Sequence, residues 1–194
     1  MVTIIDYGAG NLRSMQNALE ELKVEAVVTQ KPQDLKTAEK IVFPGVGSFG
    51  QVMQNLRALQ LDGALREAIA SGTPFLGVCL GLQILFEESE ESPGVKGLGI
   101  FKGKAVKFRK GKVPQIGWNE ILPSKQGALK KGYAYFVNSY YVVPEDSERV
   151  AAKTNYGIEF VSAIQRGAVT ATQFHPEKSS VYGLAFLRRW LDAN

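Results

Sequence analysis

The sequence is poor in the residues that build covalent and metal-based scaffolds. Of its 194 residues, one is a cysteine, Cys79, and one is a histidine, His175. A single cysteine excludes a disulfide within the chain, and these counts exclude a cysteine/histidine zinc cluster. These counts suit a protein of the reducing cytoplasm. We also expect neither a metal nor another cofactor.

Long hydrophobic runs are also missing. No apolar run approaches the roughly 20 residues that span a bilayer, and residues 1–7 contain neither a basic region nor a cleavable apolar core. The sequence thus predicts no membrane segment and no signal peptide. Apolar residues make up 45% of the chain and charged residues 22%, which is typical of one globular domain, here residues 1–194.

Charge of neither sign dominates, since the net charge is only +4. Basic residues concentrate in segment 102–112, where they alternate with Ala105, Val106 and Phe108. A nucleic-acid surface is one interpretation, but no RNA-binding motif or zinc knuckle accompanies it and aromatic residues are few. We favour a β-hairpin with lysines on its solvent face, and expect no nucleic-acid partner. The acidic segment 87–91 is interpreted as a solvated helix end running into a loop.

The first half of the chain alternates predicted strands and helices. Such a pattern indicates a parallel sheet with helices on both faces. Asn11 is the predicted N-cap of the first helix. The strands are predicted at 2–6, 24–29, 40–43 and 74–78, and the helices at 11–22, 48–59 and 62–71.

The second half changes character. From about 99 to 173 its segments are short and β-like, with a hairpin predicted for 158–165 and 168–174 through Gly167, and a closing amphipathic helix covers 179–192. The whole chain predicts one α/β domain. Ligands in such sheets collect at the carboxyl ends of strands. Cys79 and His175 both follow predicted strands, as does segment 45–47, so one shared cleft is expected.

Cys79 lies in Gly77-Val78-Cys79-Leu80-Gly81, between an apolar strand and a predicted amphipathic helix. Glycines on both sides of a sharp strand-to-helix turn remove the Cβ clashes that it creates. The free N–H groups and dipole of the helix that follows favour a thiolate at Cys79. The alternative is a buried structural cysteine, but this context favours a nucleophile.

His175 lies in Gln173-Phe174-His175-Pro176-Glu177. Pro176 pushes His175 toward extended geometry, and in an extended segment residues two apart point to the same side. His175 and Glu177 are therefore expected to face one cleft unless a turn intervenes. A core histidine is the alternative. A nucleophile, a base and an orienting acid are the three parts of a thiol hydrolase.

These two segments, 77–81 and 174–177, resemble class I glutamine amidotransferases with their Cys-His-Glu triad. Three further segments resemble the glutaminase subunits of imidazole glycerol phosphate synthases: Ile-Asp-Tyr-Gly-Ala-Gly-Asn at 5–11, Pro-Gln-Ile-Gly-Trp-Asn at 114–119 and Glu-Lys-Ser at 177–179. The resemblance runs from about residue 4 to the closing helix. It implies a flavodoxin-like three-layer α/β domain with a largely parallel central sheet and added antiparallel strands in the second half.

The resemblance also implies an activity. Cys79, His175 and Glu177 would hydrolyse L-glutamine to L-glutamate and ammonia. The ammonia would pass to a separate (β/α)8-barrel cyclase subunit, in a heterodimer that serves histidine biosynthesis.

Further residues are predicted around the nucleophile and at the partner interface. The Leu80 N–H is a candidate oxyanion donor at the helix start, and a second donor is expected from Gly45, Val46 and Gly47, a loop that flips in this family. Gln83 lies one helical turn after Cys79 and is expected at the substrate, or else on an exposed helix surface. The other predicted residues are Ser139 and Tyr140 for substrate binding and Trp118 and Lys178 for the partner interface.

The sequence departs from the family pattern at a few positions. Asn138 stands where a histidine is common, which weakens any role for a second histidine near glutamine, and Gln115-Ile116 replaces a more usual His-Met. Other interpretations remain: a glutaminase subunit of another synthase, such as that of pyridoxal phosphate, a stand-alone thiol hydrolase, or a catalytically silent binding module. The intact triad argues against the last.

Overall fold

The computed structural model describes residues 1–8, 12–124 and 128–193. The strands are β1 Val2–Ile5, β2 Ala26–Thr29, β3 Ile41–Phe43, β4 Phe75–Val78, β5 Glu88–Ser89, β6 Gly103–Lys107, β7 Gln115–Pro123, β8 Gly132–Asn138, β9 Tyr140–Pro144, β10 Val150–Asn155, β11 Glu159–Arg166 and β12 Val169–Thr172. The helices are α1 Leu12–Glu21, α2 Pro32–Leu35, α3 Phe49–Ala58, α4 Leu61–Ala70, α5 Leu80–Gln83 and α6 Ser180–Asp192. Two 3₁₀ turns span Ser147–Arg149 and Pro176–Lys178.

The strands form one sheet in the order β2-β1-β3-β4-β12-β11-β10-β7-β8. From β2 to β12 all neighbours are parallel, and from β12 to β8 all are antiparallel. Strands β5, β6 and β9 form a branch that joins the main sheet through β11. The prediction of an α/β sheet with a parallel first half and antiparallel additions is confirmed.

Helices cover both faces of the parallel half because its strands are apolar on both sides. In β1, Ile4 packs in the same cluster as Met15 of α1 and Trp190 of α6. Its neighbour Ile5 packs in a second cluster with Leu56 of α3. Successive side chains of a strand point to opposite faces, so a continuous apolar strand requires an apolar layer on each side.

Most predicted elements of the first half lie within a few residues of the observed ones. Helix α1 begins at Leu12, and its predicted cap, Asn11, lies outside the described residues. The hairpin through Gly167 is confirmed, with Arg166 paired to Val169 across the turn. None of the helices in the described ranges is long and apolar enough to cross a bilayer.

Three predictions were wrong. The basic segment is not a hairpin: β6 pairs in parallel with β5 and antiparallel with β9, and not with β7, the next strand along the chain. Its lysines are exposed as expected. The acidic segment is no helix end, since Glu88 and Ser89 form β5. The helix after Cys79 has only four residues and all are buried, so it is not amphipathic.

Candidate active site

Cys79 occupies a strained turn between β4 and α5. Its φ of 53° and ψ of −101° lie where non-glycine residues are rare, and such a conformation costs on the order of 1–3 kcal/mol. Backbone hydrogen bonds hold it: the Cys79 N–H donates to the Thr172 carbonyl at 2.7 Å, and its own carbonyl accepts from Leu82 at 3.0 Å. The strain is maintained by the fold and aims the thiol into a cleft, as the sequence predicted.

The two glycines flanking Cys79 are required by close packing. A Cβ on Gly77 would lie 2.5 Å from the Gly81 carbonyl oxygen, and a Cβ on Gly81 would lie 2.5 Å from that of Phe43. Atoms cannot approach this closely, so any side chain would push the turn apart. The predicted reason for these glycines is confirmed.

His175 and Glu177 form a buried pair. The Nδ1 atom of His175 lies 2.8 Å from Oε1 of Glu177, and the two side chains are 1% and 4% exposed. His175 is extended, with φ −97° and ψ 98°, as Pro176 predicted. The following residues turn into a 3₁₀ helix, but the contact forms despite that turn. The backbone of His175 is fixed by the carbonyl of Tyr135, which accepts its N–H at 2.9 Å.

The charge on His175 depends on its neighbours. Burial alone lowers the pKa of His175, but the Cys79 thiolate and then the Glu177 carboxylate outweigh burial and raise the pKa to about 10. The imidazolium form of His175 is thus stabilised by the two neighbouring anions. The Nε2 atom forms no aligned hydrogen bond within the described structure. Such catalytic contacts are often loose before substrate binds, and the free Nε2 is the atom that would exchange a proton.

One cleft of about 280 Å³ gathers most of the predicted site residues. Trp118 and Lys178 do not line it, and Glu177 lies behind His175. The cleft is lined by Gly45, Val46, Gly47, Cys79, Leu80, Gln83, Glu91, Pro114, Val137, Asn138, Ser139, Tyr140 and His175.

Of the predicted oxyanion donors in the described residues, the Leu80 N–H is free and the Val46 N–H is already hydrogen-bonded. Within the described structure the Leu80 N–H has no hydrogen-bond partner, so it is available at the start of α5. Gly45 lies directly against it, since a Cβ there would be 2.6 Å from the Leu80 nitrogen. The Val46 N–H, however, donates to the Tyr7 hydroxyl oxygen at 2.9 Å. The second donor is therefore engaged elsewhere in this conformation.

The Tyr7 hydroxyl binds the backbone of residues 44–47, the loop predicted to supply the second oxyanion donor and called here the oxyanion loop. The hydroxyl accepts from the Val46 N–H and donates to the Val46 carbonyl, both at 2.9 Å. The ring is fully buried and stacks on Phe43 with centroids 4.9 Å apart. Burial raises the pKa of Tyr7 to about 12, so the hydroxyl keeps its proton and can donate. Sequence reasoning assigned Tyr7 no role, because the contact joins residues far apart in the chain.

Gln83 is buried rather than exposed. Its Nε2 atom lies 3.3 Å from both the Tyr140 carbonyl oxygen and Oε1 of Gln173. Gln83 lines the cleft, but its amide hydrogens are directed to these protein acceptors. Asn138, at the position of the expected histidine, donates from Nδ2 to the same Tyr140 carbonyl at 2.9 Å.

Glu91 is a site residue that the sequence analysis missed. Its Oε2 atom accepts the Phe49 N–H at 2.6 Å, at the start of α3, where Ser48 provides no side-chain cap. The carboxylate lines the cleft beside the oxyanion loop. In the sequence Glu91 is one of four glutamates in segment 87–91, and only the fold distinguishes it from its exposed neighbours.

An exposed apolar surface borders the cleft. The β7–β8 patch consists of Ile116, Trp118 and Tyr133, which are 61%, 50% and 59% exposed. In the strand register Ile116 pairs with Val137, a residue of the cleft wall. Paired residues of neighbouring strands lie on the same face, so the patch and the cleft are continuous. Lys178 is half-buried and follows the triad acid in the 3₁₀ turn.

Comparison with known proteins gives a consistent family. Residues 3–192 match the family model for class I glutamine amidotransferases. The imidazole glycerol phosphate synthase subunit HisH of Methanothermobacter thermautotrophicus is 46% identical over 197 residues, covering 99% of this chain and 98% of the relative. The HisH subunit of Bacillus subtilis is 42% identical over 201 residues, covering 98% and 95%.

Solved structures agree at the level of the fold. A crystal structure of a glutamine amidotransferase has a TM-score of 0.81 at 20% identity, covering 99% of this chain and 98% of that one. The PurLQS structure from Thermotoga maritima has a TM-score of 0.78 at 19% identity, covering 99% and 97%. Because the family model spans nearly the whole chain and the relatives align end to end, the chain belongs to the class I glutamine amidotransferase family.

Proposed function

We propose that the chain is the glutaminase subunit of an imidazole glycerol phosphate synthase, with Cys79, His175 and Glu177 as its catalytic triad. One observation carries the proposal. A buried His175–Glu177 pair, 2.8 Å apart, opens onto the same cleft as a cysteine held in a strained turn. A positioned base and an activated sulfur are what nucleophilic acyl transfer requires.

The first step forms a thioester. The Cys79 thiolate attacks the side-chain amide carbon of glutamine, and the carbonyl electron pair moves onto oxygen. The Leu80 N–H stabilises this oxyanion. The imidazolium of His175 then protonates the leaving nitrogen, the carbon–nitrogen bond breaks and ammonia departs. Glu177 keeps the imidazole oriented throughout and offsets its charge.

The second step releases glutamate. His175, now neutral, takes a proton from water as the water oxygen attacks the thioester carbon. The carbon–sulfur bond breaks, the thiolate returns and glutamate leaves. The same imidazole thus serves as acid and then as base.

The cleft walls suit the two ends of glutamine. Glu91 lines the cleft, and we expect its carboxylate to attract the α-ammonium group of the substrate, because opposite charges close together attract. Ser139 and Tyr140 also line the cleft, and we expect them to bind the α-carboxylate end. Gln83 supports this part of the cleft through the Tyr140 carbonyl.

The proposed partner is a cyclase subunit, a (β/α)8 barrel that receives ammonia in a heterodimer. The relatives of this chain are named as subunits of a synthase, which supports an obligatory partner. The β7–β8 patch supplies an apolar surface beside the cleft, and exposed apolar patches mark interaction sites. Trp118 is the anchor we expect at its centre, with Lys178 at the edge.

Measuring glutamate release tests the proposal. The chain is assayed alone, with the cyclase subunit, and with the cyclase subunit and its phosphorylated ligand, and Cys79→Ala serves as the inactive control. We expect low activity alone, strong stimulation by the liganded partner and none in Cys79→Ala. A glutamine-analogue alkylator should label Cys79 alone. Full activity without a partner would instead favour a stand-alone hydrolase.

A further inference from the structure

A buried glutamine contacts the nucleophile. The side chain of Gln173 is fully buried, and its Nε2 atom lies 3.4 Å from Sγ of Cys79. Gln173 directly follows β12, the strand that pairs with β4 and ends beside the Cys79 turn. The His175 imidazolium is the charged neighbour of the sulfur. The Val137 carbonyl oxygen, 3.9 Å from Sγ, has no proton to give a thiolate.

The orientation of this amide is fixed by its neighbours. The Tyr140 carbonyl only accepts, so the atom of Gln83 that lies 3.3 Å from it must be the amide nitrogen. The same nitrogen lies 3.3 Å from the Gln173 side chain, which must therefore present its oxygen there. The other end of the Gln173 amide, the NH₂ group, is then left facing the sulfur. Rotating the amide by 180° would place two NH₂ groups together and a carbonyl oxygen against the thiolate.

We propose that Gln173 is a thiolate-stabilising residue, donating an N–H to Cys79 Sγ from a side chain that Gln83 and the Tyr140 carbonyl hold in place. A buried anion that has lost water needs such a donor, and hydrogen bonds to charged groups are stronger than those between neutral groups. A neutral amide adds no second cation beside His175. The nucleophilicity of a thiolate falls as the thiolate is stabilised. A donor of moderate strength therefore increases the fraction of Cys79 present as thiolate while leaving that thiolate nucleophilic.

The inference rests on the proposed function only in taking Cys79 as the nucleophile, and it is tested without glutamine. The probe is iodoacetamide, whose rate of reaction with the single thiol is followed against pH by mass spectrometry. In Gln173→Leu the pH of half-maximal alkylation rate should rise by about one to two units, because one hydrogen bond to the anion is lost. In Gln173→Glu it should rise further, since a carboxylate then faces the sulfur.

The matched control is Gln115→Leu. Gln115 is equally buried and its Nε2 atom donates to Asn119 at 2.9 Å rather than to the sulfur, so the midpoint should stay at the wild-type value. Should Gln173→Leu fail to fold, Gln83→Met answers the question, because it releases the Gln173 amide to rotate and should raise the midpoint in the same direction.

An unchanged midpoint in the folded Gln173 or Gln83 variants would overturn the role of Gln173, whatever the glutaminase assay gives. A raised midpoint in a chain that does not hydrolyse glutamine would support this role while rejecting the proposed function. The role of Gln173 and the proposed glutaminase function can therefore be rejected independently of each other.

Discussion

At the scale of single residues, the chemistry depends on one thiol and one imidazole whose charges are coupled. The Cys79 thiolate and the Glu177 carboxylate together overcome the burial that alone would discharge His175. The two anions on either side of His175 therefore set the protonation of its imidazole. The chain contains no other histidine, so this coupling can be observed without assignment ambiguity.

His175 should titrate near pH 10 and not near its ordinary value of 6.5. A ¹³C-edited NMR titration of untagged protein contains one imidazole signal and measures this directly. In Cys79→Ala the pKa of His175 should fall, because the thiolate is gone and burial, which favours the neutral ring, remains. The charged imidazole also stabilises the fold, fully below about pH 6.5 and progressively less as the pH rises through about 10. An unchanged titration in Cys79→Ala would reject the thiolate–imidazolium pair.

Glu177→Gln should reduce glutaminase turnover less than His175→Ala does. A proton-transferring residue typically contributes about 10² to 10⁴-fold, whereas Glu177 orients the ring and stabilises its charge without moving a proton. Comparing kcat of the two variants in the presence of the cyclase partner checks this order. Equal or reversed losses would mean that the acid is misassigned.

At the scale of elements, Tyr7 holds the loop of residues 44–47 in a conformation in which Val46 cannot serve as the proposed oxyanion donor. Gly47 has a φ of 102°, a conformation suited to glycine, and the neighbouring Val46 N–H is bound to Tyr7. To donate into the cleft, the Val46 peptide must leave this hydroxyl. The cost of that rearrangement is the loss of two hydrogen bonds, about 1 kcal/mol each.

Tyr7→Phe should therefore raise the partner-independent glutaminase activity by roughly thirtyfold and lower the relative stimulation by the partner, because it removes about 2 kcal/mol and about 1.4 kcal/mol changes a population tenfold. The control is Tyr182→Phe, which removes a comparable hydroxyl bond, 2.8 Å long, to the Lys130 carbonyl away from the cleft. Initial rates of glutamate release with and without the partner measure both quantities. A drop in basal activity in Tyr7→Phe would show that the hydroxyl supports the competent loop instead.

The sequence predicted the elements that have local signals. The turn at Cys79 was recognisable from its two glycines, and the extended geometry of His175 from the proline after it. What could not be predicted were contacts between distant segments. Glu91 caps helix α3, which is far from it in the chain, and β6 pairs with β9. These two contacts could not be predicted because they depend on how the second half of the chain folds back onto the first.

At the scale of the whole molecule, the site lies where the parallel and antiparallel halves of the sheet meet. Cys79 follows β4, the last parallel strand before β12, and the β7–β8 patch extends from the cleft along the antiparallel half. A partner bound to the patch would contact the same strand that carries the cleft residue Val137. A partner bound to the β7–β8 patch could therefore shift β8 and with it the cleft wall at Val137.

Trp118→Ala and Lys178→Ala should each weaken stimulation by the cyclase partner, by about tenfold for a central aromatic anchor, while sparing basal activity. Val143→Ala is the matched control, since Val143 is also exposed, at 45%, but lies on β9 outside the patch. Titrating partner into a glutaminase assay separates weaker binding from weaker stimulation. If both variants respond like wild type, the partner docks elsewhere.

The pairing of β4 with β12 has a consequence for the growing chain. The thiol turn follows the fourth strand, whereas Gln173 and His175 follow the last strand of the described chain. During synthesis Cys79 leaves the ribosome long before its base, and the two meet only when β12 enters the sheet between β4 and β11. A truncated or half-folded chain therefore has a cysteine without its proposed base, and on the proposed mechanism the reactive sulfur is generated only by completion of the fold.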